Sequence, residues 1–228
     1  MRRLVWSVAI VAVILVLAPY GIAPFYRFVD PVSMPMLWRW ATGKRVERTV
    51  VPLNHVSPAL RLAVIVAEDG SFCHNHGIDL GSIREAMHQS EDVGEARGAS
   101  TITQQTAKNL FLWEGRSFIR KALEFPLAIW LNLVLPKRRV LEIYFNVAEW
   151  GPDGEFGAEA GAHWAFAKSA RDLNPYQAAE LAAILPNPVR RSARTPSVLV
   201  RRLAGLYARR SIEFGALDAC VRGPWPLA

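Results

Sequence analysis

The hydrophobic pattern of this chain opens with an apolar run from Leu4 to Gly21, in which Ser7 is the only clearly polar side chain before Tyr20. A helix rises about 1.5 Å per residue, so this run would span roughly 27 Å, close to the ~30 Å hydrocarbon core of a bilayer. Extension to Ile22 or Ala23 would complete the crossing. The pattern therefore predicts one transmembrane helix at the N-terminus.

Two arginines, Arg2 and Arg3, precede this run directly. Because basic residues stay on the cytoplasmic side, we expect the N-terminus in the cytoplasm and residues from about Phe25 onward outside it. A cleaved signal peptide would show the same basic start and apolar run. The uncleaved anchor is favoured, because the run is long for a signal peptide, lacks an Ala-x-Ala cleavage site and is soon followed by Pro24.

Helical patterns dominate the rest of the chain, and strand signals are weak throughout. Pro31 and Pro35 rule out one long helix between residues 25 and 40, a stretch typical of a juxtamembrane connector. The predicted helices cover residues 57–67, 117–135, 137–146 and 174–185, with Ser117 and Asn174 as N-caps and Pro136 and Pro186 as end signals.

The sequence thus predicts a mainly α-helical protein in three parts. Residues 1–24 form a cytoplasmic start and transmembrane anchor, residues 25–52 form the connector, and residues 53–228 form one domain. No internal repeat or low-complexity tract interrupts this organisation.

The charge balance is strongly basic, with 27 Lys and Arg against 20 Asp and Glu, a formal net charge of +7. Such a balance favours an anionic partner, such as phosphate, a lipid surface or nucleic acid. Many of the arginines lie between residues 190 and 210. A domain outside the membrane rarely meets nucleic acid, so anionic lipid headgroups are the simpler partner for this stretch. An ordinary solvated helix face would explain the same arginines equally well.

Cys73 and Cys220 are the only cysteines, too few for a disulfide framework. They could pair in an oxidising compartment, and the sequence leaves that open. A metal site within residues 68–76 is disfavoured, because the adjacent residues Cys73 and His74 cannot easily converge on one ion and no second ligand pair stands nearby.

Three polar clusters interrupt the apolar pattern and are candidates for chemistry. The first is Glu68, which ends an apolar helix and is followed by Phe72, so we expect it in a partly desolvated cleft. There its pKa would be raised, and it could accept a proton near neutral pH. The alternative for a single glutamate at a helix end is an ordinary salt bridge.

The second cluster runs from Ser100 to Lys108 and is dense in hydroxyl and amide groups. Gln104 and Lys108 are four residues apart, so a helix would place them on one face, where they could bind a polar ligand together with Gln105. A helix N-terminus near Ser100 would also attract anions. The alternative is a capped helix with an ordinary polar face.

The third cluster combines Arg116, Arg120 and Glu124 at intervals of four residues, with Lys121 beside them. A surface ion pair between Arg120 and Glu124, worth about 0.3–0.5 kcal/mol, is the alternative here. Apolar neighbours such as Phe125 indicate a helix that is buried on most sides. A charged stripe on such a helix is costly unless it faces a cleft.

Four motifs, in their order and spacing, resemble the signatures of peptidoglycan glycosyltransferases. They are Glu68-Asp-x-x-Phe72 followed by Gly77; Gly98-x-Ser-Thr-x-Thr-Gln-Gln105; Arg120-Lys-x-x-Glu124; and Lys137-x-x-x-Leu-Glu142-x-Tyr-x-Asn146. The resemblance covers about Leu53 to Pro188. It is to the monofunctional biosynthetic members, because the chain contains no Ser-x-x-Lys or Lys-Thr-Gly of a penicillin-binding transpeptidase domain. The chain departs from the family at Ala165 and Ala167, where Tyr and Gly are usual.

This resemblance implies a lysozyme-like glycosyltransferase domain with a small membrane-touching lobe that includes residues 110–118. It implies an inverting enzyme that polymerises lipid II into β-1,4-linked glycan, with Glu68 as general base and Glu124 as a second essential carboxylate. The residues expected to bind substrate are Ser100, Thr101, Gln104, Gln105, Lys108, Arg116, Arg120 and Lys121.

The partners implied are lipid II, the lipid-linked growing glycan, the membrane and other cell-wall synthesis proteins, without nucleic acid. The implied place is the bacterial inner membrane, crossed once, with the catalytic domain on the periplasmic side. A divalent cation, Mg²⁺ or Mn²⁺, could bridge Glu124 and the diphosphate, and no organic cofactor is expected. Two other functions stay open: a lysozyme-like enzyme that cleaves glycan, which would not need the cations, and a catalytically silent scaffold, which would not need Glu68 and Glu124.

Overall fold

Helices make up most of the regular structure in residues 2–89, 100–115 and 117–223, the parts of the chain that the computed structural model describes. In chain order the α-helices are α1 (Arg2–Ile22), α2 (Met34–Ala41), α3 (Pro58–Glu68), α4 (Leu80–Gln89), α5 (Ile102–Phe111), α6 (Phe118–Val134), α7 (Lys137–Val147), α8 (Ala158–Phe166), α9 (Pro175–Ile184) and α10 (Val198–Glu213). Short 3-10 helices cover Ala23–Arg27, Leu53–His55 and Ala219–Val221. The mainly α-helical prediction is confirmed.

Strands are confined, among the described residues, to one parallel pair of two-residue segments. β1 (Glu47–Arg48) pairs with β2 (Glu155–Phe156), with Glu47 opposite Glu155 and Arg48 opposite Phe156. The weak strand signals of the sequence agree with this small sheet.

Side-chain caps start three of the predicted helices, at Ser117 and Asn174 as the sequence indicated and also at Ser57. The hydroxyl of Ser57 accepts a hydrogen bond from the backbone N–H of Leu60 at 3.1 Å and starts α3. Ser117 caps α6 in the same way. Asn174 and Gln177 form a reciprocal capping box at the start of α9. The predictions for α3, α6, α7 and α9 are confirmed.

Two groups of helices build the domain. In one group α3 packs on α9 and α10, and in the other α5 packs on α6 and α7. Helix α8 contacts both α7 and α9 and so joins the groups. The core is apolar and tightly packed, since Trp150 is fully buried and its ring stacks on that of Phe145 with 5.7 Å between the ring centres. The C-terminal end of α3 and the first turns of α5 come together where the groups meet.

The end of the apolar N-terminal run and the residues after it pack onto the domain. The indole Nε1 of Trp130 in α6 donates a hydrogen bond to the carbonyl oxygen of Tyr20 at 3.0 Å. The ring of Tyr26 stacks on Phe111 of α5 with 5.9 Å between the ring centres. The end of the N-terminal helix is therefore held against α5 and α6.

A buried arginine in α7 fixes the next part of the connector. The guanidinium of Arg139 donates hydrogen bonds to the carbonyl oxygens of Tyr26 and Val29 at 2.7 and 2.8 Å and to the carboxylate of Asp30 at 2.9 Å. It also pairs with Glu142 one turn further along α7. Charge-assisted bonds of this kind specify one path for the backbone. The connector is thus an integral part of the packed domain.

Helix α1 carries apolar side chains on its surface, with Leu15 exposed by 69% and Leu17 by 59%. The segment Ala9–Arg27 has a mean hydropathy of 2.1 and is long and apolar enough to cross a membrane. By length and composition, it is a candidate membrane span at the position where the sequence predicted one.

Cys73 and Cys220 form a disulfide. The bridge joins the loop after α3 to the 3-10 helix near the C-terminus, across 147 residues of sequence. It therefore links the segment that follows Glu68 to the C-terminal part of the domain.

Candidate active site

Glu68 is the last residue of α3 and lies where the two helix groups meet. Its Oε2 accepts a hydrogen bond from the Nε2 of Gln105 at 2.7 Å. The Oε1 of Gln105 accepts one from the hydroxyl of Tyr144 at 3.0 Å. Because Tyr144 is buried in the core, it fixes the amide of Gln105, and the amide in turn orients the carboxylate.

The environment of Glu68 suits a proton acceptor. Burial raises the pKa of Glu68 above the ordinary range of a glutamate, and this effect exceeds the lowering by the Gln105 hydrogen bond and by the charges of Lys108 and Arg191. A carboxylate with a raised pKa can take up a proton near neutral pH and release it again. The geometry agrees with the predicted cleft position of Glu68.

Asp69 links the loop after α3 to the start of α5. Its Oδ2 accepts a hydrogen bond from the backbone N–H of Ile102 at 3.0 Å, and its Oδ1 accepts one from the hydroxyl of Ser71 at 3.2 Å. The Nδ2 of Asn75 donates to both carboxylate oxygens, at 2.9 and 3.1 Å. Burial raises the pKa of Asp69, and these hydrogen bonds lower it. The same link thus holds the helix ends that carry Glu68 and Gln105.

Glu124 sits in a buried cluster with two cations. Its Oε2 accepts a hydrogen bond from the Nη1 of Arg120, and its Oε1 accepts one from the Nζ of Lys121, each at 2.6 Å. Lys121 also donates to the hydroxyl of Ser100 at 2.8 Å, and Arg120 donates to the carbonyl oxygen of Gly115 at 2.9 Å. The ion pair between Arg120 and Glu124 that the sequence offered as an alternative exists. It is not a surface pair, because the Glu124 side chain is only 3% exposed.

The Glu124 carboxylate does not fit the divalent cation considered above. Both of its oxygens already accept hydrogen bonds from cationic groups, so a metal ion would have to displace these groups and lie beside two positive charges. Elsewhere in the described residues, no group of three or more His, Cys, Asp or Glu side chains is arranged to hold a metal ion.

Lys108 lies one turn beyond Gln105 on α5 and lines a cavity together with Gln105, Tyr144 and Glu149. Burial lowers the pKa of Lys108, and the charges of Glu124 and other carboxylates raise it. Within the described part of the chain, its amine has no hydrogen-bond partner, so its donors can turn toward a ligand. A compact cation with unused donors is well suited to phosphate oxygens.

Thr101 and Gln104, which were expected to bind substrate, form the reciprocal cap of α5, and within the described residues the Nε2 of Gln104 is a buried donor without a hydrogen-bond partner. The Thr101 hydroxyl accepts from the backbone N–H of Gln104 at 3.1 Å and donates to the carbonyl oxygen of Gly77 at 2.6 Å, while Gln104 Oε1 accepts from the backbone N–H of Thr101 at 2.9 Å. Gly77 has a φ of +94°, and a Cβ there would lie 2.5 Å from the carbonyl oxygen of Ala128. Both side chains are buried, and their capping hydrogen bonds hold the start of α5.

We expect Thr101→Val to lower the free energy of unfolding by about 1 kcal/mol, because it removes the N-cap of α5. The folded variant should keep its affinity for a diphosphate ligand. Urea denaturation measures the first effect, and titration of a diphosphate-containing substrate analogue measures the second. A clear loss of affinity in fully folded protein would show that Thr101 touches the ligand after all.

Arg116 and Gly98 lie outside the described residues, so their predicted places stay predictions. In the predicted membrane-touching lobe at 110–118, Leu112 is buried. Trp113, Phe118 and Ile119, in and beside this region, are exposed, and we call them the exposed patch; Phe118 is 85% exposed.

Several residues near the site were not assigned a role from the sequence. Tyr144 and Lys137 belong to the fourth motif, but the sequence did not indicate which residues they contact. Glu149 had no sequence signal, yet it lines the same cavity as Lys108 and pairs with Arg39 of α2 at 3.2 Å. Burial raises the pKa of Glu149 to about 7, against the lowering effect of Arg39. The position of this carboxylate depends on the folded contact between Arg39 of the connector and the segment after α7.

Comparison with known proteins agrees with the motifs. A family model described as Transglycosylase matches residues 36–209, which begin inside the connector. A protein of Rhodopseudomonas palustris strain TIE-1, named biosynthetic peptidoglycan transglycosylase, is 56% identical over 210 residues, or 92% of this chain and 89% of that protein. Proteins with the same name from Nitrobacter hamburgensis and Agrobacterium fabrum are 55% and 45% identical over 222 residues, and each alignment covers 98% of the relative.

The chain belongs to the transglycosylase family. The family resemblance of the four motifs is thereby confirmed.

Proposed function

We propose that this protein is a peptidoglycan transglycosylase that polymerises lipid II into β-1,4-linked glycan strands and releases undecaprenyl diphosphate. The observation that carries the proposal is the Glu68 carboxylate, which Gln105 holds at the end of α3, together with Lys108 one turn further along α5, whose amine has no hydrogen-bond partner among the described residues. A proton acceptor and a phosphate binder are what sugar transfer from a diphosphate requires. The names of the relatives support peptidoglycan as the product.

In the proposed step, the 4-hydroxyl oxygen of the acceptor lipid II attacks the anomeric carbon of the lipid-linked donor. Glu68 takes the hydroxyl proton while the new C–O bond forms, and the bond between the anomeric carbon and the diphosphate breaks with its electron pair on the diphosphate oxygen. Attack from the face opposite the leaving group turns an α-linked donor into a β-linked product. Glu68 then returns the proton to solvent.

The leaving group decides what else the site needs. A diphosphate can leave without a strong general acid if fixed positive charge stabilises the charge that develops on it. Lys108 is suited to this role because its donors are unused within the described residues. Arg120 and Lys121 are bonded to Glu124, and this cluster keeps one surplus positive charge because two cations surround one carboxylate. It would add to the attraction of the cleft for the diphosphate.

The proposed location is the bacterial inner membrane, crossed once, with the domain on the periplasmic side. Three observations support it: the apolar segment Ala9–Arg27, the arginines Arg2 and Arg3 before it, and the disulfide, which is typical of oxidising compartments. The exposed patch would rest on the lipid surface beside the anchor. Binding to other cell-wall synthesis proteins stays a prediction.

The two other functions give different results in simple assays. A lysozyme-like enzyme would release soluble fragments from purified sacculi, whereas we expect sacculi to remain intact and lipid II to be consumed. A silent scaffold would do neither. Lys108, whose charge acts on Glu68 and whose donors are unused in the part of the chain that the structure describes, favours transfer over cleavage, because hydrolysis of a sugar–sugar bond has no diphosphate to stabilise.

We expect Lys108→Ala to weaken binding of a diphosphate-containing substrate analogue about tenfold to hundredfold, since a charged hydrogen bond lost from a partly buried site costs roughly 1.5–3 kcal/mol. The exposed residue Lys44 provides the matched control, and Lys44→Ala should bind like the wild type. Unchanged affinity in Lys108→Ala would show that Lys108 does not bind the diphosphate.

A further inference from the structure

Lys137 is a partly buried cation that the proposed reaction leaves without a role, and its contacts are specific. It is the first residue of α7, and its Nζ donates a hydrogen bond to the Oδ1 of Asn75 at 2.8 Å. The same amine lies 4.8 Å from the ring centre of Phe72, which is fully buried. Both contacts are in the loop that follows Glu68.

This position is unfavourable for a lysine. The N-terminus of a helix carries a partial positive charge, and Pro136, the N-cap of α7, offers no side-chain hydrogen bond. Burial lowers the pKa of Lys137 to about 8, although the charge of Asp69 opposes this. An apolar side chain would avoid both costs. A charge kept in such a place is typical of a functional residue.

Asn75 transmits the contact with Lys137 to Asp69. The Oδ1 of Asn75 accepts hydrogen bonds from Lys137 and from the backbone N–H of Gly77, the latter at 3.1 Å. Its Nδ2 must then point the other way, and it donates to both carboxylate oxygens of Asp69. Asp69 accepts a hydrogen bond from the backbone N–H of Ile102 at the start of α5. The contacts therefore form a chain from α7 through the loop to α5.

The two ends of this chain carry the proton acceptor and its partner. Asp69 directly follows Glu68, and α5 carries Gln105, which donates to Glu68 at 2.7 Å. A shift of the loop would move the Glu68 carboxylate relative to Gln105. The rate of the reaction would fall even if the substrate still bound.

We propose that Lys137 is a positioning residue for glycosyl transfer: its positive charge holds the Asp69 loop, and this holds the Glu68 carboxylate in the geometry of attack. The inference rests on the proposed function. Lys137 acts through Asn75 and Asp69, its hydrogen-bond partner and its charge partner, and not by contact with substrate.

The proposal predicts a dependence on pH. The negative charge of Asp69 raises the pKa of Lys137 and so opposes the effect of burial. The charge of Lys137 is present below its pKa of about 8 and is lost as the pH rises through that value. We therefore expect kcat of the wild type to fall on the alkaline side. Because the pKa of Lys108 is also lowered, variants must separate the two lysines.

The test compares four proteins in matched detergent: the wild type, Lys137→Gln, Lys137→Arg and the exposed control Lys44→Gln. Lys137→Gln keeps a donor without the charge, so we expect kcat about tenfold to hundredfold lower, as for a slightly misplaced reacting group, with KM near that of the wild type. Lys137→Arg should recover much of kcat and extend activity to higher pH, because a guanidinium stays charged. Lys44→Gln should match the wild type.

Wild-type kcat and an unchanged pH profile in Lys137→Gln would overturn the proposal. So would a loss of activity that only follows the fraction of unfolded protein, measured from melting curves. If Lys137→Arg does not fold, Asn75→Leu replaces it, since it leaves the charge but breaks the chain of contacts, and kcat should fall at unchanged KM. Failure of the wild type to form any polymer would instead overturn the proposed function, and this role with it.

Discussion

Replacing Glu68 by glutamine is expected to abolish polymerisation of lipid II while the affinity for lipid II barely changes. Glutamine keeps the size of the side chain and can still hydrogen-bond to Gln105, but it cannot take up the acceptor's proton. Loss of a general base lowers rates about 10²–10⁴-fold. Turnover of lipid II and titration of a substrate analogue, with melting temperatures recorded, measure both effects.

A matched control for this variant is Glu213→Gln, which changes an exposed glutamate at the end of α10 and should have the wild-type rate. Near-normal turnover in Glu68→Gln would assign the proton transfer to another group.

The rate of the wild type should also fall on the acid side, because Glu68 accepts a proton only when it is ionised. An ordinary glutamate has a pKa of about 4.3. Because burial raises the pKa of Glu68, the rate should begin to fall at a higher pH than it would with an ordinary glutamate.

Removal of the disulfide is expected to lower the free energy of unfolding by about 2–5 kcal/mol. The bridge between Cys73 and Cys220 spans 147 residues, so its loss gives the unfolded chain much more conformational freedom. Urea denaturation of the double variant Cys73→Ala, Cys220→Ala, compared with the oxidised wild type, measures the change.

A reducing agent should shift the urea midpoint of the wild type toward that of the double variant and leave the variant itself unchanged. This internal control separates the loss of the bridge from an effect of the reductant on the rest of the protein. Equal midpoints for oxidised wild type and double variant would contradict the stabilising role.

Local signals explain which helices the sequence could predict. Helices α6 and α9 combine an N-cap residue with a proline near the end, and such signals depend on a few neighbouring positions. Helix α8 gave no signal, because most of its residues are small and six of its nine residues are buried, so apolar and polar positions do not alternate. Its place depends on tertiary packing: a Cβ at Gly161 would lie 2.4 Å from the Cβ of Trp150.

The polar residues of α5 show where reasoning from the sequence reaches its limit. Gln104 and Gln105 are adjacent and chemically identical, yet Gln104 caps the helix and Gln105 binds Glu68. Which of them faces the cleft depends on where α5 begins and which side packs on α6 and α7. The motif predicted that the cluster matters, but it did not separate the two roles.

Burial was the other property that the sequence could not give. The spacing of Arg120 and Glu124 allowed an ion pair, but it did not show that the carboxylate would be enclosed by two cations. Lys137 contacts Asn75, which lies 62 residues earlier in the chain, and Asn75 links it to Asp69. Contacts of that range depend on the folded arrangement of α7 against the loop after α3.

The central claim is that Glu68 drives synthesis of glycan from lipid II, and one measurement tests it most directly. Purified wild-type protein is incubated with lipid II in detergent, and the product is separated by size before and after digestion with lysozyme. The account predicts that lipid II is consumed into long glycan that lysozyme digests, and that Glu68→Gln under the same conditions gives none. Lipid II left intact by the wild-type protein, or polymer formed equally well by Glu68→Gln, would contradict it.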